Sequence, residues 1–260
     1  MNKLFSLLLT IFLSFLLISC EKKNENKLKI AASSTPHAEI LEQIAPLLQK
    51  KGVEMEILVV DDFHAPNRLL QEGEVDANYF QHLPFLQAQS QEFGYELEPL
   101  VSSHIEPMGL YSTKVKQLAD LKKGAVIAVP TDPTNQARAL LLLEKEKMIS
   151  LNHQGINVGL NDIKESAYQF VEVDPPLAAR LLDDVDLSAI TANFALQASL
   201  SPLQDALALE SEKSLFTNLI VVRKGCAKEP KLQQLKEALR DASTKKWMEE
   251  KYQGAILPVF

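Results

Sequence analysis

From Leu28 onward, short continuous apolar runs alternate with stretches in which apolar residues recur every three or four positions. Runs of the first kind predict strands, and the second spacing predicts helices with one buried face. Leu28–Ala32 and Val53–Val60 predict strands. Between them, Ile40, Leu41, Ile44, Leu47 and Leu48 predict a helix over His37–Gly52 that Gly52 terminates. A short helix over Pro66–Val75 ending at Gly73, a strand over Val75–Phe80 and a helix over Leu83–Gly94 follow. Glu96–Glu106 and Met108–Ser112 predict extended segments, and Val115–Gly124 a short helical connection. Ala125–Pro130 is apolar throughout, as in a strand buried on both faces, and leads into a helix through Arg138–Ile149. The remainder predicts a strand over Gln169–Asp174, a helix over Pro176–Asp184, a strand over Leu187–Thr191 and a helix over Asn193–Leu200. A strand over Asn218–Lys224 and one amphipathic helix over Leu232–Tyr252 complete the chain. The alternation is that of an α/β protein, and no repeat interrupts it.

The N-terminus has a different character. Lys3 precedes the apolar run Leu4–Ile18, then Ser19, Cys20 and the polar stretch Glu21–Lys27. That run is short for a bilayer span and describes an export signal. Leu17-Ile18-Ser19-Cys20 fits a lipobox, in which Cys20 is acylated and becomes the first mature residue. Each buried methylene of an acyl chain contributes about 0.8 kcal/mol, so two or three chains hold a protein on a membrane durably. The expected organisation is a signal peptide over 1–19 and a lipidated tether over 20–27 on the periplasmic or extracytoplasmic face of a bacterial envelope membrane.

About 240 residues remain, enough for one large domain or two modest lobes. Loss of Lys3 moves the formal charge from −7 to −8, and there is no basic stripe, which argues against a nucleic-acid partner. With Cys20 acylated, Cys226 is the one cysteine left of two, so no intramolecular disulfide can form.

Two polar clusters exceed what the scheme needs. Asp76–His82 (DANYFQH) places Tyr79, Phe80 and His82 at the carboxyl end of a strand, where open α/β sheets bind ligands. A packed aromatic strand end would look the same. In Pro130–Leu143 (PTDPTNQARALLLL), Asp132 or Thr134 is placed to cap a helix, with Arg138 in its first two turns. A cation there opposes the helix dipole unless an anion is near. Arg138 therefore reads either as the bidentate receptor of a bound carboxylate or as a cation turned to solvent or to a surface acid.

DANYFQH, Pro130–Leu143, Leu182–Ala195 (LDDVDLSAITANFA) and Asn218–Val222 (NLIVV) stand in an order and spacing that resembles the methionine-binding lipoprotein family of MetQ/NlpA type. These are substrate-binding components of methionine ABC importers. The resemblance runs from the lipobox to the last helix. It implies a two-lobed periplasmic-binding-protein clamshell of type II, with 28–110 plus 217–260 as one lobe and 111–216 as the other. The chain would cross near Gly109–Ser112 and return near Thr217–Val222, with ligand between the lobes. No cofactor is expected. The implied partners are L-methionine, D-methionine or a methionyl peptide, together with ABC permease and ATPase subunits.

Carried over residue by residue, Phe80 and His82 match the family's ligand-contacting Phe and His. Asn135 and Arg138 match its Asn and carboxylate-binding Arg, and Asn218 matches an Asn on the returning strand. Phe80 would wall the thioether, with Tyr79 outside the pocket, and His82 would bond the ligand's polar end. Two positions depart. Phe63 stands where many members have Tyr, and in Ile190-Thr191-Ala192-Asn193-Phe194 the family's amide is replaced by Thr191, with Asn193 placed to compensate. These changes lead to the expectation of fewer hydrogen bonds around the ligand and weaker discrimination among the three ligand forms.

Two other classes remain to be weighed. A periplasmic hydrolase would need a nucleophile paired with a base, and no such motif occurs. A metal-binding importer lipoprotein would draw on His37, His64, His82 or His104, whose spacing is irregular.

Overall fold

The computed structural model describes residues 26–153, 155–211 and 215–260. Cys20, the signal segment 1–19 and tether residues 20–25 lie outside the described residues. The last tether residue, Lys27, already belongs to the first strand, where it pairs with Glu54. Among the described residues no helix is long and apolar enough to cross a membrane.

The chain folds as β1 (Lys27–Ala32), α1 (Glu39–Lys50), β2 (Glu54–Val59), α2 (Ala65–Gln71), β3 (Ala77–His82), α3 (Leu83–Phe93) and β4 (Leu97–Ile105). β5 (Gly109–Tyr111), β6 (Val126–Pro130), α4 (Pro133–Lys145), β7 (Ile149–Leu151), β8 (Ile163–Ser166), β9 (Gln169–Val173) and β10 (Leu187–Ile190) follow. The remainder is α5 (Ala192–Gln197), α6 (Pro202–Asp205), β11 (Ala208–Leu209), β12 (Thr217–Arg223), α7 (Pro230–Leu239), α8 (Ala242–Tyr252) and β13 (Leu257–Pro258).

Two sheets form two lobes. The first has the strand order β13-β4-β12-β3-β1-β2 and the second β11-β5-β10-β6-β9. β3, β1 and β2 run parallel, while β12 enters antiparallel between β3 and β4. One face of the first sheet packs Ile30, Tyr79 and Val222 against α1, α7 and α8, and the other packs Ala31, Leu219 and Val221 against α2 and α3. The second sheet is likewise covered, by α4 on one side and by Leu182, Val185 and Phe194 on the other. Burial on both faces explains why the inner strands β6, β10 and β12 read as near-continuous apolar runs.

The chain leaves the first sheet after Ile105 and joins the second at Gly109, so Glu106–Met108 is the outward connection. It is back in the first sheet at Thr217, after β11 ends at Leu209 in the second. Gly109–Tyr111 pairs with β10 and β11. By strand pairing, the lobe boundary read at 110 therefore falls at 106–108, ahead of Gly109–Ser112.

Three sequence expectations change. Pro176–Asp184 is not a helix: one 3₁₀ turn, Pro175–Leu177, gives way to separate turns such as Arg180 N–H to Leu177 O at 3.0 Å. Pro175 and Pro176 supply no N–H donors, and Asp183 and Asp184 would face the negative end of a helix dipole. The helix expected to reach Ile149 stops at Lys145, because Lys147 takes a left-handed conformation (φ 60°) and Ile149 opens the β7–β8 hairpin. The C-terminal helix is two helices: the Asp241 carboxylate accepts from Ser243 N–H at 2.8 Å and caps α8 afresh.

Candidate ligand-binding site

β3 ends where the lobes meet. Its alternation sends Phe80 and His82 to one side and Tyr79 to the other. His82 is also the residue before α3, and its Nδ1 accepts from Phe85 N–H at 3.1 Å, which orients the ring and brings Phe85 beside it. From the second lobe, Asp132 caps α4 by accepting from Asn135 N–H at 2.9 Å, and it also receives the Asn135 amide at 3.0 and 3.1 Å. That capping turn projects Asn135 and Arg138 toward the first lobe. Thr191 and Asn193 lie at the start of α5, and Asn218 on β12 faces His82 across the β3 pairing.

These elements form a cleft lined by Phe63, Phe80, His82, Asn135, Arg138, Thr191, Asn193 and Asn218. All eight residues singled out from the sequence converge on it. The sequence did not mark Gln81, Phe85 and Glu106, which also line it. Phe63, Phe80 and Phe85 form a ring cluster with centroids 5.8–6.0 Å apart, and Phe194 of the second lobe lies 5.3 Å from Phe63. The lobes are closed over the cleft, and the Gln197 amide donates across the opening to Asp61 at 3.2 Å.

Arg138 is 2% exposed, and its environment differs from the expectation. The bidentate partner is Glu210, which accepts from Nε at 3.0 Å and from the second terminal nitrogen at 2.5 Å. The same terminal nitrogen donates to Glu106 O at 2.8 Å, and the other to Asn135 Oδ1 at 3.0 Å. Glu210 also accepts from Met108 N–H at 2.9 Å, so Arg138 ties together the two connections between the lobes. The anion that the dipole argument demanded is thus a side chain of the protein. Of five guanidinium N–H groups, one has no partner among the described residues.

His82 is saturated too. With Nδ1 accepting from Phe85, Nε2 carries the proton and donates to Asn135 Oδ1 at 3.2 Å. Its role is to hold Asn135 and Arg138 in place rather than to offer a free polar end. Burial, and then the neighbouring Arg138 charge, push its pKa down to about 3.

Beneath the cleft lies a buried network. Glu106 accepts from His104 Nε2 at 2.7 Å and His37 Nε2 at 3.1 Å, and Asn218 Oδ1 shares His37 Nε2 at 3.1 Å. Tyr79 joins it through His104 Nδ1 at 2.7 Å and through Ser103. Burial raises the Glu106 pKa against the lowering effects of His37, Arg138 and the Asn193 backbone N–H. A carboxylate held this way lacks a full countercharge, so a ligand cation reaching it would be strongly favoured.

His37, His104 and Glu106 also place three possible metal ligands within 4.8 Å of one another. Ligation through His37 Nε2 would force its proton onto Nδ1, which is buried and has no partner among the described residues. An orphaned buried donor costs about 1–3 kcal/mol. The arrangement fits a hydrogen-bond network better than a metal centre. His64 is exposed and His82 is committed elsewhere, so the four histidines weighed as a metal set do not assemble.

The buried histidines make a prediction. Burial lowers the pKa of His37 to about 4, and those of His82 and His104 to about 3, from an ordinary value of 6.5. Below pH 6.5 the unfolded chain binds protons that the folded chain refuses, so stability falls as pH drops from 6.5 toward 4. The slope is about 1.4 kcal/mol per pH unit per histidine. Glu106 acts oppositely, because burial raises its pKa and stability is lost as pH rises above its ordinary 4.5, so it offsets part of the histidine slope. Urea midpoints of the unliganded protein should fall steadily from pH 6.5 to 4.5, and a flat profile would contradict neutral buried histidines.

With this geometry in hand, known proteins give a consistent picture. The NlpA lipoprotein family model matches residues 28–260. A relative named methionine-binding lipoprotein MetQ, from Bacillus subtilis (strain 168), is 36% identical over 272 positions, covering 100% of this chain and 99% of its own. The structure of a nutrient binding protein from Burkholderia cenocepacia bound to methionine matches with a TM-score of 0.87 at 35% identity, over 90% of this chain and 100% of its own. A periplasmic substrate-binding protein of an ABC transporter from Coxiella burnetii matches with a TM-score of 0.86 at 38% identity, over 89% and 100%. The family match takes in both lobes and every residue of the cleft, and this chain belongs to the NlpA lipoprotein family.

Proposed function

We propose that this protein is a lipid-anchored substrate-binding component that captures methionine in its cleft and delivers it to an ABC import permease powered by ATPase subunits. The observation that carries the reading is the closed pocket itself, with Glu106 and Arg138 on its wall beside the ring cluster of Phe63, Phe80 and Phe85. A zwitterion with a polarizable thioether matches all three. Its ammonium pairs with Glu106 and its carboxylate takes the free N–H of Arg138. Its sulfur packs on the rings for roughly 0.3–1.5 kcal/mol per contact. Three non-collinear anchors distinguish the hands of an α-amino acid. L-methionine is the ligand proposed. The Bacillus relative's name and the Burkholderia structure name methionine without its hand, and a Vibrio cholerae relative, 33% identical, is named a probable D-methionine-binding lipoprotein.

Ser103 Oγ lies 3.1 Å from His104 Nδ1, and His104 Nε2 donates to Glu106 at 2.7 Å, but Ser103 and His104 are fully buried and do not line the cleft, so the reading is binding rather than catalysis. Acylation at Cys20 would keep the protein on the outer face of the membrane, next to its permease. Native mass spectrometry of protein gently released from that membrane is expected to show an acylated Cys20 as the first residue and one methionine bound per chain. An unmodified Cys20 would refute the anchor, and a different bound amino acid would refute the ligand.

A further inference from the structure

Resting on the methionine reading, an unmet donor in the cleft deepens it. Asn193 is 1% exposed, lines the pocket, and its amide nitrogen has no hydrogen-bond partner among the described residues. Its amide oxygen is held by Thr191, whose hydroxyl donates to it at 2.5 Å. That separation suits O–H···O and is short for N–H···O, which fixes the amide with its oxygen toward Thr191 and leaves its NH₂ group as the buried, unpartnered end. A buried donor left without an acceptor is costly, so the arrangement makes sense when an acceptor arrives.

Arg138 supplies the reason one is needed. Glu210 occupies the side of the guanidinium that would form a two-pronged contact, and one N–H remains for the ligand. One N–H cannot satisfy two carboxylate oxygens. We infer that the Asn193 amide donates to the second oxygen of the ligand carboxylate, and that Thr191 is the positioning residue that aims it. Together they complete in two residues what a single side-chain amide at position 191 would supply. Free methionine offers no other strong acceptor, since its amine is a cation and its sulfur accepts weakly.

The test is calorimetric titration of wild type, Asn193→Ala, Thr191→Val and Thr191→Ser with L-methionine and with L-methioninol, in which a hydroxymethyl group replaces the carboxylate. Asn193→Ala should lose about ten- to a hundredfold in affinity for L-methionine, as expected for a hydrogen bond to a charged acceptor, and less than about threefold for L-methioninol. Thr191→Val should lose about two- to tenfold for L-methionine alone, and Thr191→Ser should recover wild-type affinity. The Thr191 pair keeps the question decidable if Asn193→Ala does not fold. Failure of the wild type to bind L-methionine would overturn the functional reading and this assignment with it. With wild-type binding intact, equal losses for the two ligands, or no loss for either, would overturn the amide assignment alone.

Discussion

Arg138→Ala should lower L-methionine affinity by roughly a hundred- to several-thousand-fold, the equivalent of about 3–5 kcal/mol for removing one partner of a buried ion pair. Three things are lost together. The ligand carboxylate loses its cation, Asn135 Oδ1 keeps only the His82 donor of its two, and Glu106 O and Glu210 lose the clasp between the two lobe connections. Because Glu210 is only 12% exposed, its orphaned carboxylate should also destabilise the fold. Adding Glu210→Gln should restore stability without restoring affinity, which separates the two effects. Arg138→Lys should recover part of the affinity, since an ammonium carries the charge but cannot span Glu210, Asn135 and Glu106 at once. Titration and urea unfolding of the variants measure both quantities. An Arg138→Ala affinity within threefold of wild type would exclude the carboxylate role.

The second large effect is expected at Glu106. Glu106→Gln keeps the shape but removes the charge that would meet the ligand ammonium. Truncating one side of a buried charge pair costs about 2–5 kcal/mol, or roughly thirty- to several-thousand-fold in affinity. Stability should move the other way. Burial raises the Glu106 pKa above its ordinary 4.5, so between that value and the raised one the folded protein holds a proton that the unfolded chain has lost. Stability is therefore given up as pH rises through that window. The neutral amide that Glu106→Gln introduces avoids this penalty, so the unliganded variant should unfold at higher urea than wild type at pH 7. Weaker binding together with a more stable empty protein marks a group held in an unfavourable state for its ligand. Loss of both would make Glu106 a structural residue.

Much of this site was legible in the chain because its residues sit where local rules place them. β3 exposes Phe80 and His82 by simple alternation, and Asp132-Pro133 announces a helix start that fixes Asn135 and Arg138. The dipole argument at Arg138 correctly demanded an anion but could not say which. Glu210 lies 72 residues away in a connection with no periodic pattern. Glu106 was invisible for a related reason. It follows an extended segment as one acid before Pro107, and its meaning comes from His37, His104 and Arg138, brought together only by the closed fold. The β7–β8 hairpin was hidden by its apolar residues, which continue the helical spacing of α4 past the point where Lys147 turns left-handed.

The central claim is that one zwitterionic amino acid with a thioether side chain fills the closed cleft between Glu106 and Arg138. Its most direct test is calorimetric titration of the protein, stripped of bound ligand and metal, with L-methionine at pH 7. The account predicts saturable binding of one methionine per chain, not reduced by chelator. No heat with L-methionine, alongside saturable binding of zinc or manganese, would contradict it and return His37, His104 and Glu106 to a metal role.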